Sequence, residues 1–278
     1  MSGLWSTRLG NLSKCFGVPR SGADLKHFDK GSYTMRIRRI VFLSAIAVLM
    51  LSFSASTQRT SVGRQFPVYD NDGQPDLTVD PQRFTSQLEI IDRLFEAGSC
   101  AVVEGAVRAT GYRRILRFDT VVMNGGDGDL IVGDRTDPNN PYAEWFYFAP
   151  CHGHYHIRDF SNYELLTSDG SLVIAGQKGG FCFEDSFKYA GNRSNGYNCG
   201  FQGITSGWGD WYYKQLTGQW IDITGIPEGD YIVRVTINAA GAFDEGENRY
   251  PNVVQTSIHV PNPRNKVAID NSPELIDH

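Results

Sequence analysis

Residues 114–123 read RILRFDTVVM and run into the turn Asn124-Gly125-Gly126. Apolar and polar side chains alternate over much of this stretch, the period of a strand with one buried face. Asn-Gly is the strongest short signal for reversing such a strand. Working outward, a second short apolar run lies at 130–132 (LIV), and a Pro/Asn-rich loop follows at 136–141. Residues 145–148 and 157–166 read as strands on either side of a histidine cluster. Ser168-Asp169-Gly170-Ser171 is a tight turn into 172–174. Further on, 219–223, the turn Pro227-Glu228-Gly229-Asp230 and 231–238 read as strand, turn, strand, and 253–260 as a last alternating strand. Residues 84–97 fit both periods: Leu88 and Ile90 alternate, whereas Leu88, Ile91 and Phe95 share a helical face. Short strands punctuated by turns predict an all-β protein, a single β-sandwich-like domain with long loops.

Composition agrees. Among 278 residues, 12% are aromatic and 30 are glycine, the residues of strands and turns. With 41% hydrophobic and 21% charged, the chain is neither wholly disordered nor collagen-like. The net charge of −5 conceals a split. Residues 1–56 hold 8 of the 26 Lys/Arg and 2 of the 31 Asp/Glu, so the remainder carries 18 basic against 29 acidic groups. That acidic body argues against nucleic-acid binding and favours cationic partners.

Residues 40–53 (IVFLSAIAVLMLSF) form an apolar run behind Arg36, Arg38 and Arg39, with Ser54-Ala55-Ser56 at its exit. This is the pattern of a secretory signal, and at 14 residues it is short for a spanning helix, which needs ~20. An uncleaved signal-anchor is the alternative, and the one route by which a membrane enters the reading. Met35 begins a signal of ordinary length, so it is a candidate true start. The expected organisation is therefore residues 1–56 as extension and signal, 57–74 as a polar linker, 75–262 as the main folded domain and 263–278 as a tail. A secreted, periplasmic or extracellular location permits disulfides. Past the signal four cysteines remain, Cys100, Cys151, Cys182 and Cys199, enough for two bridges in three possible connectivities. Asp70-Asn71-Asp72-Gly73 in the linker reads as a plain turn.

The chemistry concentrates in Cys151-His152-Gly153-His154-Tyr155-His156. On a strand, positions i, i+2 and i+4 place three imidazoles on one face, about 7 Å apart between neighbours. A local bend would bring three nitrogens to one ion, and imidazole suits Cu, Zn, Fe and Ni. The bland alternative is a solvated His-rich strand, but three same-face histidines are costly to bury without a partner.

This hexapeptide resembles the copper motif of the lysyl oxidase family, Cys-His-x-His-Tyr-His. The resemblance continues in order. Residues 176–185 (GQKGGFCFED) are similar to the segment that carries the family's cofactor lysine. Tyr212, eight residues before Trp220, matches its cofactor tyrosine, and 218–224 (GQWIDIT) the stretch that follows. Residues 227–235 and 247–254 resemble its C-terminal hairpin, and Pro75-Asp76-Leu77 its start. The match spans roughly residues 75–260, as in a bacterial-type or short secreted member.

The resemblance implies a copper-dependent amine oxidase that deaminates primary amines, peptidyl lysine or small amines, to aldehydes with O2, releasing ammonia and hydrogen peroxide. His152, His154 and His156 become the Cu2+ ligands. Tyr212 and Lys178 become the lysine tyrosylquinone cofactor and hence the catalytic pair; Tyr213 is the neighbour most easily mistaken for Tyr212. It also implies a Cys151–Cys199 bridge, which leaves Cys100 to pair with Cys182. Departures bear on the proton chemistry. Phe148-Ala149-Pro150 stands where the family often has Trp-His-Ser, and Asn162 stands where it has a histidine. Asp159, Glu164, Glu184 and Asp185 are the candidate bases. Two other readings use the same triad: a secreted metal-binding sandwich of structural or adhesive role without the quinone, and a zinc site, which no HExxH signature supports.

Overall fold

Asp119 divides the stretch RILRFDTVVM into two strands, Gly111–Arg117 and Thr120–Asn124, that belong to different sheets. Its carboxylate accepts hydrogen bonds from Trp211 Nε1 and Lys214 N, both at 2.9 Å, and Phe118 N bonds to Gln219 O. The chain crosses between layers where these bonds satisfy a backbone that has left its ladder. The protein, seen here in a computed structural model, is described at residue 68 and over residues 72–176 and 180–275. The apolar run at 40–53, most of the expected linker and residues 276–278 lie outside the described residues.

The described chain is all-β, with two short helices. One four-stranded sheet runs Leu77–Val79, Thr120–Asn124, Trp208–Tyr212, Phe187–Lys188. A second runs Trp220–Asp222, Gly111–Arg117, Glu89–Phe95, Ala268–Asp270, the last pairing in parallel from within the expected tail. A third runs Val253–Val260, Gly229–Ile237, Ser161–Leu166, Leu172–Ala175. Two smaller sheets complete the set: Gly180–Phe181, His154–Arg158, Phe146–Ala149, and Gln202–Ile204 with Leu130–Gly133.

Within residues 84–97 the strand period wins: Ile91 and Phe95, the supposed helical face with Leu88, lie on a strand, and the helix lies just upstream. Asp80 accepts from Gln82 N and Arg83 N and so caps a helix at Pro81–Ser86; strand Glu89–Phe95 follows. Inward-facing side chains fuse into one core that includes Phe84, Leu116, Phe118, Tyr163, Phe183, Val233 and Val235. A satellite core holds Ile91, Phe95, Ile115 and Trp220, whose indole N–H donates to Ala106 O at 2.9 Å. Each such side chain contributes roughly 1.5–3 kcal/mol by burial. This framework holds the histidine hairpin and strand Trp208–Tyr212 in place.

Candidate functional site

Strands Phe146–Ala149 and His154–Arg158 pair antiparallel, with Ala149 opposite His154. Residues 150–153 close the hairpin: His152 N and Gly153 N both donate to Ala149 O, at 3.1 and 2.8 Å. Gly153 has φ 77°, a conformation that glycine alone adopts without strain, so the chain reverses there. The three histidines do not lie along one straight strand; the chain bends at Gly153. His154 and His156 share a strand face, and His152 reaches them from the turn.

The three rings converge. His156 Nε2 lies 2.7 Å from His154 Nε2 and 3.4 Å from His152 Nδ1, and the three nitrogens all fall within 4.8 Å of one another. Metal–nitrogen bonds of about 2.0–2.1 Å at right or tetrahedral angles hold two ligand nitrogens about 2.9–3.4 Å apart. The two closest spacings lie near that range, so the residues fit a single ion, and the all-imidazole donor set suits Cu, Zn, Fe or Ni. His152 and His156 are buried, and His154 is half-buried. Behind the ligand atoms, Tyr147 Oη sits 3.4 Å from His156 Nδ1, and Glu104 Oε2 sits 3.4 Å from His152 Nε2.

All four cysteines past the apolar run are bridged, but not in the pairs the resemblance implied. The bonds are Cys100–Cys151 and Cys182–Cys199, with Cα atoms 5.5 and 5.4 Å apart. The segment after Cys182 lies along the chain on both sides of Cys199: Asp185 N bonds to Tyr197 O, and Gly203 N to Phe183 O. Helix Cys100–Val103 meanwhile abuts the hairpin turn, so each cysteine meets the partner whose Cα is within bridging range. Cys182 and Cys199 approach His154, but as a disulfide they offer it no thiolate for a shared metal.

Tyr212 ends strand Trp208–Tyr212 opposite Thr120 and is 3% exposed. Its hydroxyl donates to Cys182 O at 2.6 Å. Tyr213 is 47% exposed and stacks on Trp211, which separates the two adjacent tyrosines. A cavity of about 260 Å³ opens beside Tyr212, lined also by His154, Glu184, Asp210 and the Cys182–Cys199 bridge. Lys178 lies outside the described residues.

The four candidate bases separate by environment. Asp159 is exposed in a left-handed turn, and Glu164 pairs with Arg234 at 2.8 Å. Asp185 is buried and accepts from Gly196 N, Tyr197 N, Thr205 N and the Thr205 hydroxyl, which fills its lone pairs. Glu184 alone of the four lines the cavity. Asn162, in the position of the family's histidine, is exposed. Beside Glu184 stands a carboxylate that the sequence reading missed. Asp210 is buried and accepts from Ser186 Oγ at 2.9 Å and Glu184 N at 3.3 Å; Tyr212, whose hydroxyl proton goes to Cys182 O, lines the same cavity. Burial pushes the Asp210 carboxyl up to about 7; the bonds from Ser186 and Glu184 N lower it, and the nearby Glu184 carboxylate adds to the rise. Its signal was available: two residues before Tyr212 on a strand, it shares the tyrosine's face.

The class that fold and site define is an all-β, disulfide-stapled domain with three converging histidines beside a buried tyrosine. Residues 91–269, more than half of the chain, match the family described as Lysyl oxidase, and the chain belongs to that family. It is 35% identical over 190 residues to lysyl oxidase homolog 2 of Homo sapiens, covering 64% of this chain and 23% of that protein. It is 36% identical over 195 residues to lysyl oxidase homolog 2A of Danio rerio, covering 66% and 25%. The chain thus spans about a quarter of the length of these curated relatives. Both are vertebrate proteins, and nothing in these matches supports a bacterial-type member.

Proposed function

We propose that this chain is a copper-dependent amine oxidase acting on primary amines, with peptidyl lysine or small amines as substrates. The observation that carries the reading is the convergence of three imidazole nitrogens beside a cavity that contains Tyr212. His152 would hold copper through Nδ1, and His154 and His156 through Nε2. When present, copper and a quinone built from Tyr212 and Lys178 would supply the redox chemistry that converts an amine, O2 and water to an aldehyde, ammonia and hydrogen peroxide.

The chain's own residues do the rest. Glu184 and Asp210 give the cavity negative charge that attracts an ammonium ion. Asp210 Oδ is the proton acceptor at residue 212, because a buried carboxyl near 7 takes and returns a proton at neutral pH. Ser186 Oγ and Glu184 N hold that carboxylate in place. Burial of Tyr212 limits water at the reacting ring. Two residues after Lys178, Gly180–Phe181 pairs with the histidine strand, and Cys182 accepts the Tyr212 hydroxyl. The four bridged cysteines and the apolar run at 40–53 support secretion.

The test is phenylhydrazine treatment of copper-loaded protein, followed by peptide mass spectrometry. A coloured adduct and a Lys178–Tyr212 cross-link are expected. Copper binding with neither would leave a metal-binding module in place of the enzyme.

A further inference from the structure

Glu104 lies within the residues that match the family but in none of the motifs quoted above, and it approaches the histidine cluster from behind. It follows helix Cys100–Val103 directly, and its own N–H bonds to Cys100 O at 2.8 Å. The Cys100–Cys151 bridge ties that helix to the histidine hairpin. Glu104 Oε1 accepts the Cys151 N–H at 3.2 Å, and Oε2 stands 3.4 Å from the buried His152 Nε2, within ion-pair range but outside hydrogen-bond geometry, so a small turn of either side chain closes the bond. One carboxylate therefore touches both the residue before His152 and the nitrogen of its ring that faces away from the other histidines. The opposite nitrogen, Nδ1, is the one turned toward His156.

We infer that Glu104 is a positioning residue that makes His152 a metal ligand through Nδ1, by holding the Nε2 proton and the ring orientation. The inference rests on the copper-site reading above. An imidazole has two tautomers, and only the one protonated at Nε2 leaves the Nδ1 lone pair free for an ion. A carboxylate at Nε2 selects that tautomer and makes the ligand nitrogen more basic. His152 needs this more than its neighbours do. His154 and His156 are oriented by a strand, whereas His152 sits in a turn reversed by Gly153. The bridge and the carboxylate supply the constraint that the ladder does not. Tyr147 stands behind His156 in the same way, but as a neutral hydroxyl.

The experiment titrates copper(II) into metal-free wild type, E104A, E104Q and H154A, in competition with a chelator of known affinity. An EPR spectrum is recorded at one copper per chain. Wild type should bind one equivalent, and E104A should bind about 10–100-fold more weakly with altered nitrogen hyperfine structure. E104Q keeps an oxygen for the Cys151 N–H and should fall between them, with metal-free melting unchanged. A purely structural role for Glu104 would shift melting and leave the EPR signal of bound copper alone. If E104A fails to fold, E104Q decides: affinity and spectrum equal to wild type overturn the inference. Loss of copper in H154A beside full binding in the Glu104 variants would sink this inference while the copper reading stands. Failure of wild type to bind copper would remove the copper reading, and this inference with it.

Discussion

Asp210→Asn should flatten the pH dependence of stability between pH 5 and 8. The wild-type carboxyl titrates near 7 when folded, because burial disfavours its charged form. In the unfolded chain an aspartate titrates near 3.9. The folded state therefore binds more protons than the unfolded state across this window, and stability falls as pH rises through it. Two-state linkage with these values puts the wild-type loss at about 1.5 kcal/mol by pH 5 and about 4 kcal/mol by pH 8. The change between the two pH values is about 2.5 kcal/mol. Asparagine does not titrate, and its amide oxygen still accepts from Ser186 Oγ. Urea unfolding of metal-free, disulfide-intact wild type and D210N at pH 5 and pH 8 measures the difference. Titration of the histidines cancels between the two proteins to the extent that they do not couple to Asp210. D210N should gain on wild type by about 2–3 kcal/mol between pH 5 and 8. A wild-type-minus-variant difference that stays constant across this range would refute the buried-acid reasoning, and with it the proton role assigned to Asp210.

His154→Ala should abolish stoichiometric copper binding, since one of three imidazoles is lost; metal analysis of the purified variant checks it. Tyr212→Phe should bind copper and give no phenylhydrazine adduct, whereas Tyr213→Phe, altered at an exposed ring, should give one. An adduct at wild-type level in Tyr212→Phe would end the assignment of the cofactor tyrosine. Non-reducing peptide mapping should recover Cys100 joined to Cys151 and Cys182 joined to Cys199; a Cys151–Cys199 peptide contradicts the structure. The first bridge spans 51 residues, so replacing both of its cysteines by serine should cost about 4 kcal/mol in urea unfolding on chain-entropy grounds.

Local pattern determined much of this protein. Alternation and Asn-Gly and Asp-Gly turns placed most strands to within a few residues, because a strand's period and its turn chemistry are properties of neighbouring residues. The histidine triad was legible because its motif is contiguous, whereas Tyr212 was singled out only through the family resemblance. Residues 84–97 were not resolved by period, since a capped single helical turn and a strand share too short a window. Other decisions were tertiary. RILRFDTVVM became two strands because Trp211 and Lys214, over 90 residues away, hold Asp119 at a crossing between sheets. His152 left the strand because Gly153 reverses the chain. The cysteine pairing followed from which Cα atoms the packed segments bring within bridging distance, a quantity no spacing along the chain encodes. Glu104 reached His152 across 48 positions of sequence by way of a short helix and a disulfide. Alternation is a short-range property that side chains carry with them, whereas the second layer around a metal is assembled from distant segments and exists only once the core has brought them together.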